Sequence, residues 1–364
     1  MTALLDALRP ILASEGPITV ARYMGLCLGH PAHGYYMTRD PFGMEGDFTT
    51  APEISQMFGE LIGLWAAEVW SLMGAPDPVR LVELGPGRGT LMADVLRAAR
   101  VVPRFLDAAD IRLVETSPVL KARQETTLSS AGVPVAWHAH VSDVPAGPAI
   151  VLANEFFDAL PVRQYVRTER GWCERLVGLA EDGTLAFGLA GEPDRRLPDT
   201  GPAGAVLEQP EAALDIAAGL AARLAAQGGA ALVVDYGHVG AAVGDTLQAV
   251  KLHGFADPLA EPGEADLTAH VDFARLAAVA GSCGAAVHGP IPQGDFLRAL
   301  GIEARAGALR ARASEAEAAA VRSALARLTD DAPRGMGGLF KAMAISHPRL
   351  TALPGFPPLD HDAF

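Results

Sequence analysis

Val-Arg-Leu-Val-Glu-Leu-Gly-Pro-Gly-Arg-Gly-Thr, residues 79–90, decides how the rest of the chain is read. Val79, Leu81, Val82 and Leu84 make a short apolar run that predicts a buried strand. The run breaks at Gly85, Pro86, Gly87 and Gly89, and a helical pattern through Thr90, Leu91, Val95 and Leu96 takes over. Strand, glycine turn and helix together let a nucleotide-like ligand approach bare backbone at a helix N-terminus in a parallel sheet. Two details separate this turn from a dinucleotide fingerprint. Glu83 stands two residues before the first glycine, and Thr90 occupies the place where Gly-x-Gly-x-x-Gly needs its third glycine. Both point away from pyrophosphate and toward S-adenosylmethionine, with Glu83, Gly85, Pro86, Gly87 and Gly89 as the residues that would hold it.

Outward from this stretch, strand candidates at 79–84, 110–115, 133–137, 148–153 and 229–235 alternate with helical stretches near 89–100, 117–130 and 211–226. Such alternation predicts an α/β fold with a doubly wound, mostly parallel sheet. The rhythm fails over Gln164–Ala190, where Tyr165, Val166, Trp172, Leu176 and Val177 are interleaved with turn residues. An inserted antiparallel hairpin or meander is expected there, with the proline-bearing stretch Glu192–Gln209 as a connector. Residues 314–327 read as an amphipathic helix and 337–346 as a closing strand. The expected organisation is an N-terminal, mostly helical region (1–75) that covers the active site, a body (76–346) with an insertion at about 160–210, and a tail (347–364).

Composition narrows the function classes. The chain has 364 residues, half of them hydrophobic, which is enough for a large core. No apolar run reaches the ~18 residues a membrane helix needs, so an integral membrane protein is not expected. Residues 1–14 carry Asp6 and lack an early basic cluster, which argues against a signal peptide. The three cysteines, Cys27, Cys173 and Cys283, are widely spaced, which fits a reducing, cytoplasmic setting. Net charge is −14, and no Lys/Arg cluster offers the basic face that nucleic-acid binding needs. His30 and His33 are the nearest approach to a ligand pair, with no third ligand placed, so no metal is expected. Oligomeric state stays open, homo-oligomers included.

In a doubly wound sheet the ligand lies outside the carboxyl ends of the strands, where strand order reverses. Glu115 ends the second strand and suits the two ribose hydroxyls. Asp143 follows the third strand, where an adenine contact would sit. Asn154, Glu155 and Asp158 follow the fourth; Asn154 could orient the methionine end of a cofactor. Two convergent carboxylates suit a guanidinium, whose five donors form a fixed fork. Asp235, after the fifth strand, is either a crevice acid or a turn former. Upstream, Gly46–Ser55 opens a long helix (54–73), and a structural cap accounts for Thr50 or Ser55 but not for Asp47 and Phe48. That segment is expected to fold over the cofactor or substrate, with Asp47 in a catalytic role.

The blocks GDFTTAPEISQMFGELIG, ELGPGRG, NEFFDALPV, DYG, DLTAHVDF (266–273) and GGLFKAM occur in this order. Together they resemble the MidA-like family of S-adenosylmethionine-dependent methyltransferases, over about residues 15–345. The resemblance implies a class I methyltransferase (Rossmann-like) fold with S-adenosylmethionine at Gly85, Gly87 and Gly89 and its ribose on Glu115. It implies that Asp47–Glu53 and Asn154–Asp158 are active-site segments. Mitochondrial members of the family are complex I assembly factors that symmetrically dimethylate an arginine of a core subunit. A bacterial relative would accordingly be a protein arginine methyltransferase in the cytoplasm, with a complex I subunit as its protein partner. Two other readings stay in view: an assembly factor or chaperone that binds such a subunit without turnover, and a small-molecule methyltransferase.

Overall fold

The strand that opens the site, Val79–Leu84 (β1), buries side chains on both faces, as a central parallel strand must. A computed structural model describes residues 2–41, 43, 47, 49–198, 200–240 and 244–359. β1 is joined in the central sheet by Ala109–Val114 (β2), Val135–His138 (β3), Ala149–Asn154 (β4), Gly229–His238 (β5), Ala286–Pro292 (β6) and Phe340–Ser346 (β7). Their order is β6-β7-β5-β4-β1-β2-β3. β1 to β5 pair in parallel, and β7 alone runs antiparallel, between β5 and β6. Strand order reverses between β1 and β4, which puts the glycine turn beside Asn154 and Glu155.

Alternate residues feed two cores. Leu81, Ile111, Ile150, Leu152 and Leu232 face the helices Gln56–Leu72 and Thr90–Ala99. Val82, Leu84, Val151 and Val233 face Glu211–Gln227 and Phe273–Ser282. A third core is separate from both. There the helices Ala3–Glu15 and Val20–Gly29 pack Leu4, Leu8, Tyr23 and Met24 against Val162 and Val177 of the insertion and Leu267.

The insertion is an antiparallel meander of Arg163–Thr168, Gly171–Leu179, Leu185–Pro193 and Val206–Gln209, with Ile18–Thr19 added from the N-terminal region. Val206–Gln209 therefore corrects the expected connector: it pairs with Arg163–Val166 as a strand. Two features had no counterpart in the sequence reading. One is β6, whose register shifts between His288 and Ile291 around Gly289-Pro290; proline and glycine in a short run argue against a strand. The other is a small sheet of Gln248–Lys251, Gly254–Ala256 and Asp266–Thr268, whose strands are too short to show a period. The closing strand begins later than expected, because Met336–Leu339 is a helical turn.

Candidate active site

Gly85, Gly87 and Gly89 all have left-handed backbone, with φ of 59°, 54° and 81°. A Cβ on Gly85 would stand 2.9 Å from the Phe156 ring. Gly89 serves as the N-cap of Thr90–Ala99. Pro86 borders a small recess of about 40 Å³ with Glu83, Asn154 and Glu155. The carboxyl oxygen Oε2 of Glu83 is buried and accepts nothing from the protein, and Oδ1 of Asn154 is in the same condition. Burial pushes the Glu83 carboxyl well above the usual range, against a backbone N–H from Met92. Two orphaned acceptors beside a glycine turn fit the ammonium end of an amino-acid cofactor.

Glu115 is held rather than free to swing. Its Oε1 accepts from the Ser117 N–H at 2.7 Å and its Oε2 from Gln124 Nε2 at 2.9 Å. The same Gln124 nitrogen donates to the carbonyl of Gly87 at 2.8 Å, and the Gln124 carbonyl accepts from the Trp137 indole. One fully buried amide thus ties the expected ribose ligand to the glycine turn. Asp143, by contrast, is not brought into the site. It is exposed, and its carboxylate accepts from the His140 N–H at 3.1 Å to cap its own turn.

After β4 the chain turns sharply at Glu155, a non-glycine residue with φ of 50°. Asp235 holds that turn. Its Oδ2 accepts from the N–H groups of Phe156, Phe157 and Asp158 at 3.1, 2.9 and 3.3 Å, and its Oδ1 from Tyr236 at 2.9 Å. Of its two readings the turn-forming one is therefore what the structure shows. The Glu155 Oε1 accepts from the Ala51 N–H at 3.0 Å and from Asn154 Nδ2 at 3.1 Å.

Glu155 and Asp158 line one cavity of about 1070 Å³ together with Gly85, Gly87, Glu115 and a fourth acid, Asp266. Burial pushes Glu155 up to about 7 against the Ala51 hydrogen bond, and the Asp158 charge adds to the rise. Burial pushes Asp158 up to about 6, partly offset by the Tyr236 hydroxyl. Asp266 is pushed up to about 8 by burial and then by the Asp158 charge, although Tyr36 Oη donates to it at 2.8 Å. Three carboxyls that cannot all ionise unaided form a receptor for a cation. Asp266 and Tyr36 were assigned no role from sequence. Asp266 lay within a quoted block, but its approach to Asp158 is a long-range one, made through the Ala269 N–H on the Asp158 carbonyl at 3.0 Å.

Residues on either side of Asp47 reach the glycine turn. Asp40 accepts from Arg88 Nε at 2.9 Å, and Glu53 accepts from Thr90 Oγ1 at 2.5 Å. Asp47 is the correction. It does not line the cavity; it is buried, with Oδ2 accepting from Tyr35 Oη and Oδ1 from the Leu252 N–H, both at 2.6 Å. Phe48 lies outside the described residues.

Comparison with known proteins places this geometry. Residues 61–291 match the family described as "Putative S-adenosyl-L-methionine-dependent methyltransferase". The mitochondrial protein arginine methyltransferase NDUFAF7 homolog of Drosophila melanogaster is 41% identical over 94% of this chain and 84% of its own. The Homo sapiens protein arginine methyltransferase NDUFAF7 is 39% identical over 96% of this chain and 85% of its own. A crystal structure from Burkholderia thailandensis bound to S-adenosyl-homocysteine superposes with a TM-score of 0.83 at 29% identity, covering 97% of this chain and 94% of that one. A second structure from that organism gives 0.85 at 31% identity, over 99% and 96%. With β7 reversed in a 6-7-5-4-1-2-3 sheet and a glycine turn facing buried carboxyls, the chain belongs to the family of S-adenosyl-L-methionine-dependent methyltransferases.

Proposed function

We propose that this enzyme methylates an arginine side chain of a protein, with symmetric dimethylation of a respiratory complex I subunit as its reaction. The observation that carries the reading is the convergence of Glu155, Asp158 and Asp266 in one cavity beside the glycine turn. The name of the relatives, protein arginine methyltransferase, supports it.

S-adenosylmethionine, when bound, supplies an activated methyl group. Glu83, Asn154 and the turn Gly85–Gly89 would hold its amino-acid end, and Glu115 its ribose. The protein's own share is then alignment and charge. The carboxyls receive the guanidinium fork through charge-assisted hydrogen bonds and fix which nitrogen faces the methyl. A guanidinium holds its protons far above neutral pH, so the nitrogen that gains a methyl sheds a proton late, to a carboxylate of this group.

Glu155→Gln tests the reading. It should bind S-adenosylmethionine normally by calorimetry yet lose about a hundredfold in kcat/KM on an arginine acceptor. Mass spectrometry of complex I subunits from cells with and without the gene should show loss of dimethylarginine. Full activity in the variant would remove the acid from the mechanism. The unbridged cysteines Cys27, Cys173 and Cys283 fit the reducing cytoplasm we assign to it. The half-exposed Phe187 and Leu189 of the meander also favour a protein-binding role beside catalysis.

A further inference from the structure

Lys251 pairs with Gly254 across the small sheet, which leaves Leu252 and His253 as a two-residue hairpin loop. Their φ angles are 50° and 60°. Left-handed backbone at both loop positions defines a type I′ turn, for which Asn-Gly is the unstrained choice. Leucine and histidine adopt it only where the surroundings over-determine it, a condition that recurs at ligand clamps. Asp47 provides that here: its side chain accepts from the Leu252 N–H and its carbonyl from the His253 N–H at 3.0 Å, while Tyr35 anchors it from below.

The strained turn holds an apolar rim. Leu252 is 75% exposed and Phe255 84%, the most exposed large hydrophobics among the described residues. His253 and Phe255 line the same cavity as Glu155, Asp158 and Asp266. Arg327 and Arg334 line it too, both exposed, and neither closes a hydrogen bond or ion pair among the described residues. Arg100, Arg104, Arg310 and Arg322 also close none among the described residues, so what sets Arg327 and Arg334 apart is their place in the lining of the cavity. The site is therefore negative within, with an aromatic ring and two cations among its lining, of which Arg327 acts by its charge on Glu155 and lowers it.

We infer that the 248–256 hairpin, with Arg327 and Arg334, docks the flanks of a protein acceptor: a segment carrying a large apolar residue next to its target arginine and an aspartate or glutamate a few residues away. The inference rests on the reading of the cavity as an arginine site. The guanidinium goes to the three carboxyls, the acidic flank to the two arginines, and the apolar neighbour covers Phe255. Free arginine could bring its own carboxylate to Arg327 or Arg334 but would leave Phe255 uncovered, which is why a protein segment is the occupant. Asp47 becomes a positioning residue, acting through the turn.

The test uses the full-length enzyme, tritiated S-adenosylmethionine and an array of synthetic peptides, each with one arginine in a glycine-serine frame. Leucine or phenylalanine is placed beside the arginine, and glutamate, lysine or serine two to four residues away. Wild type should prefer glutamate-flanked over lysine-flanked peptides by about tenfold, as expected of two rim charges. The double variant Arg327→Glu, Arg334→Glu should reverse that preference, a rescue that misfolding cannot produce. Phe255→Ala should raise KM about tenfold, the loss residing in KM rather than kcat. Cofactor affinity by calorimetry should not change in either variant. Indifference to flanking charge, or an unaltered KM in Phe255→Ala, overturns the docking rim while the arginine reading stands. Free arginine methylated as well as the best peptide overturns the protein acceptor. Cofactor binding without methylation of any arginine peptide overturns the arginine reading, and the rim with it.

Discussion

The carboxyls of this site show how one residue type acquires different duties from its surroundings. Asp235, fully buried, is spent on four backbone N–H groups, and it keeps Glu155 in a conformation that costs about 1–3 kcal/mol in isolation. Asp235→Ala strands those donors, so it should destabilise the protein by about 3 kcal/mol or more in urea unfolding. Asp266 is different: burial, and then the Asp158 charge, push its carboxyl up to about 8. Its folded-state value lies above its unfolded one, so its stabilising contribution is fully present below about pH 4 and is lost as pH rises through 8. Asp266→Asn should therefore melt higher than wild type at pH 8, with the gap closing at pH 5, in a calorimetric scan of the apoprotein. Asp266 could not be read as a site residue from its neighbours in sequence, because its partners Tyr36 and Asp158 come from distant elements. Glu83, Glu115 and Glu155 could, because each ends or follows a strand whose burial pattern is local.

At the level of elements, β1, β4 and β5 were legible because both their faces are covered and their residues are almost all buried. The hairpin at 248–256 was not, since Leu252-His253 carries no turn signal and its strands have four and three residues. Its turn is imposed by Asp47, some two hundred residues earlier in the chain. That dependence is measurable. Replacing Leu252-His253 by Asn-Gly supplies the φ values without strain and should stabilise the protein by about 1–2 kcal/mol, read as a rise in Tm. The same replacement should weaken acceptor binding, because His253 is removed from the cavity lining. A hairpin that gained stability and kept acceptor affinity would show the strain to be idle.

Across the whole molecule there are three cores, of which the second and third border the cavity through Phe156, Leu160, Tyr36 and Ala159. Two flank the parallel sheet, and the third joins the N-terminal helices to the inserted meander and to Leu267. The alternation of strands and helices predicted the first two. The third was hidden because its parts, residues 4–35, 162–185 and 249–269, are far apart and individually unremarkable in pattern. The place of β7 has a further consequence, for biosynthesis. Among the described residues β7 is the last strand in chain order, yet it lies between β5 and β6. As the chain leaves the ribosome, Gly229–His238 waits with one side unpaired, and Ala286–Pro292 has no strand to lie against until residue 346 has emerged. A chain stopped at residue 335 should therefore accumulate as aggregate in a solubility assay even though it retains Gly85–Gly89, Glu155 and Asp266. Closure of the central sheet is, in that sense, decided by a strand made after both of its neighbours.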